Sequence, residues 1–145
     1  MSRIWSVFIA GFIVCTFIVP LNASENQTVM KIRIEANGKA TVFELNDSPA
    51  ASELYAQLPL NIEVENFSNN EKIFYPAKKL STSATPLVAG ARAGTLAYYA
   101  PWGNVVMFYK KFGSAAGLYE LGQAISGEEQ IQEMSGSIRV TQENP

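Results

Sequence analysis

From Val29 onward, apolar and polar residues alternate with a period of two over much of the chain. In "VMKIRIEANGKATVFEL", Met30, Ile32 and Ile34 fall on one side and Lys31, Arg33 and Glu35 on the other, the pattern of a half-buried strand. Asn37-Gly38 interrupts the alternation with the strongest short hairpin signal, so a β-hairpin is expected to open the domain. The spacing then changes. In "NDSPAASELYAQL", Ser48 is placed as an N-cap and Pro49 at the first helical position, where its missing N–H costs nothing. Ala51, Leu54, Tyr55 and Leu58 share one face, which predicts a short helix ended by Pro59.

Alternation returns in "LPLNIEVENF", with Leu60, Ile62 and Val64 facing inward. "EKIFYPAKKL" predicts a short strand that Pro76 breaks or pushes to an edge. Ser81 to Gly94 is rich in small residues and predicts a long surface loop, a kind of segment that often carries function. "GTLAYYAPWGNVVMFYKKFG" predicts two strands flanking a Pro-Trp-Gly-Asn turn, and "LYELGQAIS" another strand. In "SGEEQIQEMSGS", Ser126 and Glu129 have the spacing of a capping box, with Gly136 as the stop. "SIRVT" closes the series with Ile138 and Val140 inward. Seven or eight short strands and two short helices imply a mainly β domain, either a closed barrel or a sandwich.

The first 24 residues follow a different rule. Arg3 precedes an uncharged run from Ile4 to Leu21, followed by small residues at Ala23 and Ser24, the pattern of a secretory signal cleaved after Ala23 or Ser24. An uncleaved membrane anchor is the alternative, because the run is nearly long enough to span a bilayer. Cys15 follows Val14 rather than a small residue, which argues against a lipid-attachment site. The expected organisation is therefore a signal segment over 1–24 and one domain over 25–145, exported to the periplasm or the medium.

Composition narrows the chemistry. Apolar residues make up 48% of the chain, enough for a core without disulfides. The net charge of −2 becomes −3 once Arg3 is removed, with 10 Lys and Arg against 13 Asp and Glu. No basic field for a phosphate backbone results, so nucleic acid is not an expected partner. The only cysteine lies in the leader and the chain has no histidine. A disulfide, a thiol nucleophile and a zinc–thiolate site are all excluded from a mature domain, and no metal or cofactor is expected. The paired acids Glu63/Glu65 and Glu128/Glu129 have sufficient explanations in a solvated strand face and a helix N-terminus.

The order of these elements, and the wording of "EKIFYPAKKL", "AYYAPWGN" and "FYKKFG", resembles the cyclophilin-like fold proteins of bacteria, small barrels related in shape to prolyl isomerases. The resemblance covers Val29 to Thr141. It implies a closed eight-stranded β-barrel with two short capping helices and a groove on the outer face of the sheet. In true cyclophilins that groove holds a proline-containing segment against an arginine. Here the matching strand offers Lys72, Tyr75, Lys78 and Lys79 but no arginine, and a lysine cannot copy the planar guanidinium. In the segment matching the family's groove strand, Met107 replaces a glutamine and Tyr109 a phenylalanine.

Alternation forces Phe108 and Tyr109 onto opposite faces. With Lys110 at the strand's exit, Phe108 is expected in the barrel interior, and Met107 and Tyr109 in the groove. Trp102, on a tight turn, suits either a lid over the barrel end or a wall of the groove. Arg92, the only charge between Ala84 and Gly94, is either an exposed loop charge or a replacement for the missing arginine. The expected groove set is thus Tyr75, Met107, Tyr109, Trp102 and Arg92, with no catalytic residue. The sequence is read as a monomeric, non-catalytic module for a peptide or small ligand. The alternatives are a weak prolyl isomerase and a purely structural domain, and a membrane is a partner only if the leader is retained.

Overall fold

The first hairpin forms as its pattern requires. In the computed structural model, which describes Gly11, residues 13–17 and residues 27–144, Asn37 and Gly38 take φ of 52° and 74°, the left-handed values of a tight hairpin turn. They join Lys31–Ala36 (β1) to Lys39–Leu45 (β2). The remaining strands are Leu60–Phe67 (β3), Glu71–Phe74 (β4), Thr95–Tyr99 (β5), Asn104–Phe108 (β6), Leu118–Ser126 (β7) and Gly136–Gln142 (β8). They close into an antiparallel barrel in the order β1-β2-β7-β5-β6-β4-β3-β8.

Inside the barrel, Ile32 and Ile34 of β1, Phe43 of β2, Phe74 of β4, Leu96 and Tyr98 of β5, Leu121 of β7 and Val140 of β8 form one buried cluster. The helix Pro49–Ala56 (α1) starts as expected, with the Ser48 hydroxyl accepting the Ala51 N–H at 3.2 Å, and it adds Ala50, Ala51 and Leu54 to that cluster. The second helix, Glu128–Glu133, is 3-10 and contributes Ile131. Its expected capping box does not form. Ser126 is the last residue of β7, paired with Val42, and the cap is Gly127 at φ 71° with no side-chain hydrogen bond. A Cβ at Gly127 would lie 2.1 Å from the Ala40 carbonyl oxygen. The close approach of β2 therefore selects glycine over a capping side chain.

A second buried cluster lies on the outside of β4, β5 and β6. Ile73, Ala97, Val106 and Phe108 pack there under Val88 and Ala91 of the segment 75–94. This cover reverses the expected sense of β6. Val105 and Met107 belong to the interior cluster, and Val106 and Phe108 to the outer one. Phe108 is buried, but on the outer face. The register agrees: Met107 lies opposite Leu96, and Val106 opposite Ala97 and Ile73. Lys110 gave no guidance because β6 ends at Phe108.

Most of the expected leader, residues 1–24, lies outside the described residues. Among the described residues no helix is long and apolar enough to cross a membrane.

Candidate functional site

Beside the outer cluster a pocket of about 180 Å³ opens. Its base is the outer side of β6, from Asn104 through Val106 to Phe108, because alternation sends these three residues to one face. Glu71, opposite Phe108 on β4, and Tyr99, opposite Asn104 on β5, extend the base sideways. Phe67 at the end of β3 and Leu118 at the start of β7 add two walls.

The remaining walls come from loops, each held by backbone hydrogen bonds. In the β5–β6 turn the N–H groups of Trp102 and Gly103 both donate to the Tyr99 carbonyl, at 3.3 and 2.8 Å, with Gly103 at φ 71°. This turn sets the Trp102 indole edge-to-face with Phe67, at a centroid distance of 5.0 Å, and with Tyr99, at 5.4 Å. Phe112 is held where its N–H donates to the Ala91 carbonyl at 3.0 Å, and its ring stacks on Phe108 at 5.3 Å. The result is an apolar, aromatic-walled cleft.

Two polar groups break that apolar lining. Asn104 is 1% exposed and its Oδ1 has no hydrogen-bond partner, an arrangement that costs about 1–3 kcal/mol where no ligand or water satisfies it. Glu71 is half-buried, and desolvation raises its carboxyl above the ordinary carboxylate value. Among the described residues no lysine, arginine or histidine lines the pocket. Among the described residues no cluster of three or more metal-ligating side chains forms.

The model of the cyclophilin-like family matches residues 34–143, from the second half of β1 past the end of β8. The chain belongs to the cyclophilin-like family. The solution structure of a hypothetical protein from Archaeoglobus fulgidus is similar in fold, with a TM-score of 0.60, 19% identity, and coverage of 83% of this chain and 99% of that one. No curated protein sequence matches the chain.

In this cyclophilin-like domain the residues expected to form the groove separate. Trp102 lines the pocket and is half exposed. Met107 does not line it. Fully buried, it points to the other side of β6, and Tyr109 packs against the same interior cluster. Tyr75 is 43% exposed just beyond β4 and outside the pocket lining. Arg92 is exposed and also outside the lining. Its backbone closes a turn, with its N–H donating to Thr95 Oγ1 at 3.1 Å and its carbonyl accepting the Thr95 N–H at 3.0 Å. Lys72, one of the four residues offered by the segment matched to the isomerase's arginine-bearing strand, lies opposite Met107, donates to the Asn66 side-chain oxygen and is outside the pocket lining.

Sequence reasoning missed Glu71, Asn104, Phe67 and Phe112. Asn104 carried a usable signal. It is a polar residue heading the otherwise apolar run Val105–Phe108, a position that suits a residue pointed at a ligand as well as one completing a turn. Phe67 had no such signal, because its distance from Trp102 depends on barrel closure.

Proposed function

We propose that the protein is an exported, monomeric, non-catalytic binding module. Its ligand, a small molecule or the side chain of a peptide, occupies the pocket bounded by Tyr99, Trp102, Asn104, Phe108 and Phe112. The observation that carries this reading is the aromatic-walled cleft whose base includes Asn104, a buried side chain with an unpaired Oδ1. A purely structural domain has no use for a buried acceptor without a partner, whereas a binding site uses such a group to orient its ligand. The signal-like pattern of Arg3, the apolar run and Ala23-Ser24 supports export.

A lining without a cationic side chain favours binding over prolyl isomerisation. The nearest substitute, Arg92, is outside the lining. An isomerisation assay on proline-containing peptides is expected to show no acceleration over the uncatalysed rate. A rate enhancement that disappears in Arg92→Ala would instead establish the enzyme. In the same preparations, ligand-induced thermal stabilisation across a small-molecule and peptide panel is expected for the wild type and is lost in Trp102→Ala. Stabilisation that persists in Trp102→Ala places the ligand elsewhere.

A further inference from the structure

The pocket's polarity is one-sided. Among the described residues its only carboxylate is Glu71, and no positively charged side chain lines it. Trp102 stands edge-to-face with Phe67 and Tyr99, and Phe108 and Phe112 stack on one another. Aromatic ring faces carry partial negative charge and attract a cation within about 6 Å of the centroid, most strongly where water is excluded. Asn104, whose side-chain Oδ1 is buried without a partner, lies in the base. An anion would meet Glu71 with nothing to neutralise it. A neutral apolar group would bury the Glu71 charge without compensation.

The form of the cation follows from the balance of rings and acceptors. A primary ammonium is strongly hydrated and brings three N–H donors, each needing an acceptor once water is removed. The lining is mostly ring and aliphatic carbon. A methylated ammonium spreads its charge over methyl groups that sit against ring faces and make weak C–H···O contacts with an amide oxygen. The cavity, about 180 Å³, is below the range of about 300–1,000 Å³ for drug-sized ligands, so it suits a head group rather than a whole large ligand.

We propose that the pocket binds the quaternary ammonium head of a small organic cation, with Glu71 supplying the counter-charge, Trp102 and its neighbouring rings the cage, and Asn104 the orienting acceptor. This inference rests on the binding-module reading and adds the ligand's chemical class. The test is an NMR titration of the full-length chain with choline and with 3,3-dimethyl-1-butanol, its uncharged carbon isostere. A proline-containing peptide serves as a third probe.

Choline is expected to shift the amides of residues 99–112 saturably and to bind about tenfold more tightly than the isostere. Glu71→Gln, a same-shape replacement, is expected to remove most of that preference, weakening choline and, with no charge left to bury, tightening the isostere. Equal binding of choline and the isostere overturns the cation inference but leaves the groove reading standing, and so does a response to the peptide alone. A choline preference that survives in Glu71→Gln overturns the role of the carboxylate. No response of residues 99–112 to any of the three probes overturns both readings together.

Discussion

Asn104 and Glu71 are the polar members of the pocket's lining among the described residues, and each has a measurable consequence. Asn104 Oδ1 is buried and unpaired, so an apolar side chain of similar shape removes a desolvation cost without losing a hydrogen bond at that atom. Asn104→Leu is expected to keep or raise the melting temperature by a few degrees and to abolish ligand-induced stabilisation. A fall in melting temperature would show that the amide serves the fold. At Glu71, burial raises the folded-state carboxyl above its unfolded value, so the folded state binds the proton more tightly than the unfolded chain. Stability contributed by this group therefore falls as pH rises from the ordinary carboxylate range through the raised folded value. Urea denaturation across that window is expected to show a smaller pH-dependent decline for Glu71→Gln than for the wild type. A steeper decline in the variant would reverse the assignment.

At the scale of the element, β6 decides where the site lies. Its five residues are all buried, because the barrel interior covers one face and the segment 75–94 the other. A strand buried on both sides carries no polar face to mark which side is out. Met107, in the interior, is expected to lose about 2–5 kcal/mol on truncation to alanine, as for a large-to-small change in a closed core. Tyr109, half-buried beyond the end of β6, is expected to lose less and to leave the pocket intact. Chemical denaturation of the two variants, read beside ligand-induced stabilisation, checks the order. A Tyr109→Ala variant that lost ligand response while Met107→Ala stayed near wild-type stability would return β6 to the opposite facing. Phe108 is different from both: its ring is fully buried and lines the pocket, so truncation is expected to damage stability and binding together.

For the whole molecule, closure is the organising event. Joining β1 to β8 and β3 to β4 leaves no exposed sheet edge, which removes the usual route to strand-by-strand association. Closure also brings Phe67, from β3, beside Trp102 from the β5–β6 turn, so one wall of the pocket exists only in the complete barrel. The proposed export concerns the molecule as a whole as well. Mass spectrometry of the periplasmic or secreted fraction is expected to find a chain beginning at Ser24 or Glu25. A full-length chain recovered only from membranes would establish an anchor.

The amino-acid pattern alone determined the β-rich character, the Asn37-Gly38 hairpin, the Ser48–Pro49 helix start and the positions of the alternating strands. Each of these depends on local backbone preference or on the contrast between a wet and a dry face, and both are written in neighbouring residues. That Trp102 sits on a turn at the sheet's end was legible for the same reason, and the structure places it in the lining of the pocket. The sense of β6, and with it the exchange of Met107 and Tyr109 for Val106 and Phe108 at the groove, was decided only in the tertiary structure. Whether a strand's outer face is wet depends on a loop some fifteen to twenty residues away in sequence, where Val88 and Ala91 pack over Val106 and Phe108. Glu71 and Phe67 join the site for a related reason: strand register and barrel closure place them opposite residues that no local pattern connects to them.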